Sequence, residues 1–212
     1  MKGDWPSVFT AWAHLQEVCQ KLNCEIAVFE HGDATADLRR LDPIKAIHLA
    51  EELDVPDVLP VAFYELSRIF DMLDHKTQLY RSWFAQKLSQ LSSRNLAKVM
   101  FGRISLRGRI REAVDSCPAR EECPSVSICQ HGLSRWWEVL KSESFYDTDP
   151  FLSLRKSVDK CGDIAEREVC RLCRLHTAEY LRTTRDQIWL KLPEIFDLTA
   201  VVSPDWGSPA AK

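Results

Sequence analysis

Seven glycines in 212 residues leave little material for anything but helices. Glycine supplies the left-handed backbone of tight turns, the bulges of strands and the close approach of loops to phosphates. A chain so poor in it has few places for any of these. The apolar residues agree, because they recur at three- and four-residue spacing along most of the length.

Trp5-Pro6-Ser7, then Val8, Trp12, Leu15, Val18 and Leu22, reads as a first amphipathic helix with Ser7 as its N-cap. Residues 30–40 are polar and read as a loop. Ile44, Ile47, His48 and Ala50 to Leu53 form one stripe; Val58, Leu59, Ala62, Phe63, Leu66, Ile69 and Phe70 form the next. Asp54-Val55-Pro56 separates them, and Pro56 suits a first helical turn, where its missing N–H costs nothing. Pro60 falls early enough in the second stripe to be tolerated. The pair predicts a helical hairpin.

Asp74 reads as the cap of a helix through Leu79, Trp83, Phe84 and Leu88. After Ser92 and Ser93 another helix runs from Leu96 to Val114, interrupted by Gly102 and Gly108. Cys117 to His131 reads as a loop punctuated by Pro118 and Pro124. A short helix follows around Leu133 to Leu140, with Trp136 and Trp137 about 100° apart on it, so that one lies nearer the surface. Asp149-Pro150 starts a helix through Phe151, Leu152, Leu154 and Val158. The longest helix runs from Ile164 to Leu192, with Trp189 in its core face and Pro193 at its end. The tail Ser203 to Lys212 reads as frayed. The expectation is an all-α, irregular multi-helix bundle without internal repeats, with at most one short strand, at Glu25 to Glu30.

The composition, 45% apolar and 28% charged, is that of an ordinary globular chain. A net charge of −3 gives no global reason to expect a nucleic acid or an anionic membrane as partner. Arg103, Arg107, Arg109 and Arg111, near Phe101, read as a solvated face paired to acids. No stretch approaches the roughly 20 apolar residues of a membrane span, and the N-terminus carries no secretory run. The expected location is therefore cytoplasmic or nuclear, where the eight cysteines stay reduced.

Cys170 and Cys173 lie three apart in the expected long helix, on one face, with His176 a further three residues on. Cys117 and Cys123 sit in the proline-punctuated loop, with Cys129 and His131 nearby. Two loop thiols and two helix thiols would supply a closed tetrahedral site for one structural zinc ion: Cys117, Cys123, Cys170 and Cys173. Buried free thiols, and a disulfide or redox role, remain beside that reading. No GxSxG, HExxH, P-loop or GxGxxG pattern occurs, and the chain reads as non-enzymatic, with no catalytic residue assigned.

The run AIHLAEELDVPDVLPVAFYELS, from Ala46 to Ser67, resembles the paired helices that close a BTB/POZ domain. Trp5 to Trp12 resembles the "YPTTLxxW" stretch preceding those helices in a large group of fungal (basidiomycete-type) BTB proteins. Cys117, Cys123 and Cys170-Arg171-Leu172-Cys173, with the closing run RDQIWLKLPEIFDL from Arg185 to Leu198, resemble that group's cysteine-bearing C-terminal extension. The resemblance implies three parts: BTB-like C-terminal helices over 1–72, a helical extension with a cysteine-rich loop over 73–200, and a flexible tail over 201–212. It also implies a protein–protein interaction module with a protein partner of unknown identity. The strand-rich half that makes the family's dimers has no counterpart here; self-association stays open without it, and an apolar hairpin face is left for another partner. A zinc-stabilised nucleic-acid or transcription-associated module, and an enzyme with an unrecognised site, are the alternative readings.

Overall fold

The computed structural model describes residues 28–29, 40–72, 78–115, 119–144, 150–164 and 167–206. The expected first helix, the 30–39 part of the loop, the Asp74 and Asp149 caps and Cys117 lie outside them. Within the described residues every element longer than three residues is a helix, as the all-α expectation requires. Two two-residue strands, β1 (Val28–Phe29) and β2 (Arg40–Leu41), pair antiparallel, one more than the single strand expected.

Asp42 and Pro43 begin α1 (Pro43–Glu52). The Asp42 carboxylate accepts from the Ile44 and Lys45 amides at 3.0 and 3.4 Å, and Pro43 occupies the first turn. At the far end Asp54 turns left-handed, with φ 53°, and the Val55 amide reaches back to the Ala50 carbonyl at 2.9 Å. This is a Schellman closure with aspartate where glycine is usual. A 3₁₀ turn (Pro56–Val58) leads into α2 (Leu59–Met72), completing the expected hairpin. Two further helices follow, α3 (Gln78–Leu88) and α4 (Ser93–Asp115). Ser92 Oγ accepts from the Asn95 amide at 3.1 Å and so starts α4. That helix continues through Gly102 and Gly108 rather than being interrupted. The remaining helices are α5 (Val126–Ser144), α6 (Pro150–Lys160), α7 (Arg171–Leu190) and a single turn, α8 (Leu192–Ile195), containing Pro193.

Two compact units result. The first runs to Arg103 and takes up the chain again at Leu192; the second is Ile104–Lys191. The boundary between these units falls inside α4. In the first unit, Ile47, Val61, Phe63, Leu66, Leu192 and Phe196 are fully buried. The Phe63 and Phe196 rings pack with centroids 5.9 Å apart. Lys87 of α3 pairs with the Asp42 cap at 3.3 Å, and Asn95 of α4 donates to Glu51 of α1 at 2.9 Å. The segment expected to fray is anchored as far as Trp206. Trp206 is buried, its indole N–H donates to the Asp57 carbonyl at 2.8 Å, and the Ser203 amide donates to the Asp57 carboxylate at 2.7 Å.

In the second unit α6 and α7 pack along one another. Phe151, at the start of α6, meets Trp189, near the end of α7, edge-on at 5.4 Å. Arg174, near the start of α7, donates to the Gly162 and Ile164 carbonyls just beyond α6. The two helices are therefore antiparallel. Trp137 is buried and Trp136 half-buried, their centroids 4.6 Å apart, and Trp189 is in the core as its spacing suggests. Arg103, Arg107, Arg109 and Arg111 all have interaction partners within the protein. No helix of the described residues is long and apolar enough to cross a membrane.

Candidate metal centre

Both ends of the cysteine cluster differ locally from the sequence expectation. The long C-terminal helix starts at Arg171, not Ile164. A 3₁₀ turn at Cys161–Asp163 and a turn at Arg167–Glu168 precede it, and Cys170 becomes its N-cap with φ −64° and ψ 157°. Cys173 lies in its first turn. The loop after Cys117 is shorter than expected, because α5 already begins at Val126. Cys129 and His131 are consequently helical, and the Cys129 amide makes an early helical bond to the Ser125 carbonyl at 3.0 Å.

Cys123 is held by the turn that leads into α5. Its amide donates to the Arg120 carbonyl at 3.0 Å, Arg120 pairs with Glu122, and the Gln130 side chain accepts from the Ala119 amide at 2.8 Å. The loop is thus tied to the helix that follows it. Gly132 controls how closely that helix approaches the turn before α7. A Cβ there would sit 2.4 Å from the Glu168 carbonyl oxygen, inside any permitted contact. Arg135, one turn on, pairs with the Glu168 carboxylate at 2.9 Å.

The outcome is that Cys123, Cys129, Cys170 and Cys173 bring their sulfur atoms within 4.8 Å of one another. Three of these are residues expected to be ligands. Cys129 fills the fourth place, while Cys117, expected there, lies outside the described residues. His176 and His131 are not members of the cluster, and Cys161 is buried apart from it. Cys123 Sγ stands 3.6 Å from Cys129 Sγ and 3.7 Å from Cys170 Sγ. A disulfide would bring a pair to about 2.05 Å. Four sulfurs about 2.3 Å from one zinc ion stand about 3.8 Å apart, close to the two distances found.

Backbone donors and burial act on these sulfurs in opposite directions. The Cys170 amide donates to Cys129 Sγ at 3.3 Å, and the Cys173 amide donates to Cys170 Sγ at 3.5 Å. The starts of α5 and α7 converge on the cluster, and each presents the positive end of its dipole. The backbone bond from Cys173, aided by the neighbouring thiols, lowers the Cys170 pKa to about 7. Burial dominates the other way at Cys173, pushed up to about 12, and raises Cys129 as well. Without a cation, then, the first negative charge settles on Cys170 and the buried thiols keep their protons. A bound dication would reverse that order, since metal ligation requires thiolates. With every position filled by a protein sulfur, such a centre would have no open site for water.

Comparison of the chain with protein-family models, with curated proteins and with solved structures finds no match.

Proposed function

We propose that the chain is a non-enzymatic, zinc-stapled helical interaction module, with Cys123, Cys129, Cys170 and Cys173 as the four ligands of one structural zinc ion. The observation that carries this is the convergence of four thiols from one turn and two helix starts to within 4.8 Å. Three of the four are buried, where a cluster of uncoordinated thiols contributes only modest packing. The amide donors and both helix dipoles would offset the charge of a four-thiolate zinc complex. The ion would join the 119–125 turn and α5 to the start of α7, replacing apolar contact with coordinate bonds. The likeness of the α1–α2 hairpin sequence to the closing helices of fungal BTB/POZ proteins supports an interaction role over catalysis. A soft, d¹⁰ ion that prefers tetrahedral sulfur suits the site better than magnesium or calcium, which take oxygen.

Metal analysis of the full chain purified under reducing conditions tests the centre directly. One zinc per chain is expected, falling to near zero in Cys173→Ser and staying at one in Cys161→Ser. Folded, clean protein without zinc that takes up none on addition would end the metal reading.

A further inference from the structure

The face of α5 beside Cys129 borders a groove of about 330 Å³, at the lower end of the volumes that ligand sites occupy. Ile128, Gly132 and Arg135 lie along it at four- and three-residue spacing, while Cys129, Leu133 and Trp137 form the buried face of the same helix. Arg167 and Glu168 complete the wall opposite. Ile128 is 58% exposed, so the groove carries an apolar surface that the fold leaves uncovered. Arg135 pairs with Glu168, whereas Arg167 is exposed and has no ion pair among the described residues. Two guanidinium groups thus face one carboxylate.

We infer that this groove docks a short acidic segment of a partner protein, one carrying an aliphatic side chain among its carboxylates. The surplus guanidinium of Arg167 meets a carboxylate, Arg135 has donors beyond those used by Glu168, and the aliphatic side chain covers Ile128. A basic segment would meet like charge at both arginines. The inference rests on the interaction reading above and gives it a partner class. It also ties recognition to the cysteine centre, because Ile128 adjoins Cys129 and Glu168 lies two residues before Cys170. Metal loading would fix the spacing of the two walls.

The test uses zinc-loaded full chain and fluorescence anisotropy of a labelled Glu-Glu-Leu-Glu-Glu peptide, with Lys-Lys-Leu-Lys-Lys and Glu-Glu-Ser-Glu-Glu as comparisons. The acidic leucine peptide should bind at least about tenfold more tightly than the basic one. Arg167→Glu should weaken it by about tenfold with zinc content unchanged, and Ile128→Ser should remove its advantage over the serine peptide. Failure of the zinc-loaded protein to bind the acidic peptide, or binding indifferent to Arg167→Glu, would overturn the groove and leave the zinc centre standing. Binding that is sensitive to Arg167→Glu in a protein shown to hold no zinc supports the groove and removes the metal reading alone.

Discussion

The two compact units solve the same problem with different chemistry. The first surrounds Phe63, Leu66 and Phe196 with apolar neighbours from α1, α2 and the returning C-terminal segment, and Asp57 anchors that segment twice. Its cohesion is spread over many side chains, each contributing about 1.5–3 kcal/mol on full burial. In the second unit α6 and α7 pack as a pair, and the 119–125 turn and the start of α5 meet the start of α7 at four sulfurs and at Gly132. Spread cohesion degrades by degrees. A staple either holds or opens.

Withdrawing the proposed zinc ion should separate the two units most. Metal binding to a structural thiolate site is worth on the order of 10 kcal/mol in small domains, more than any one apolar side chain. Chelation, or Cys173→Ser, should therefore abolish amide-exchange protection over 119–135 while protection over 44–66 stays within a factor of two or three. Hydrogen exchange read by mass spectrometry separates the two stretches. Equal loss in both would mean that the second unit is not held differently from the first. Phe196→Ala supplies the converse, expected to cost about 3–5 kcal/mol and to lower protection in α2 first.

The sequence signals for these two regions were also unequal. Asp42-Pro43, the Pro56 turn and the paired stripes from Ile44 to Phe70 are local, and they reappear as the α1–α2 hairpin. The clasp of Trp206 and Ser203 on Asp57 joins residues 149 and 146 positions apart, and no local pattern reports it. In the cysteine region the residue types pointed correctly to a sulfur cluster, but the membership was not legible. Cys117 and Cys123, like Cys123 and Cys129, have five residues between them, so spacing cannot choose between the pairs. What does place Cys129 is the start of α5 straight after Pro124-Ser125, a proline and serine signal masked by the polar residues around it. The start of α7 was misplaced because its cap is a thiol, outside the usual serine, threonine, aspartate and asparagine set.

Two glycines, one in each unit, should give effects of intermediate size. At Gly102 a Cβ would come 2.1 Å from a ring carbon of Phe196, and at Gly132 it would come 2.4 Å from a backbone carbonyl. Overpacking costs about 1–3 kcal/mol in either place, but what must move differs. Phe196 is a side chain with torsions to adjust. The Glu168 contact is with backbone two residues from Cys170, so its displacement would move Cys170 with it. Gly102→Ala should lower thermal stability without touching zinc affinity, whereas Gly132→Ala should weaken zinc by about tenfold in competition with a chelating dye. Unchanged zinc affinity in Gly132→Ala would show that the helix approach is not what positions the sulfurs.

The smallest effect should be a gain, confined to the first unit. Asp54 holds φ 53° at the end of α1, is exposed, and has a conformation that costs an L-residue energy and glycine almost none. Asp54→Gly removes that cost but enlarges the freedom of the unfolded chain, so the net stabilisation expected is about 0.5–1 kcal/mol. Asp197 has the same φ of 53°, yet its carboxylate and carbonyl both engage Lys98, an interaction the glycine variant would lose in part. Asp197→Gly should therefore gain less than Asp54→Gly. For a chain of this size the Asp54→Gly melting temperature should rise by about 1–4 °C. If the units are held independently, that rise belongs to the transition that survives chelation, and the chelator-sensitive one stays where it was. A shift of both together would show that the staple and the distributed core melt as one.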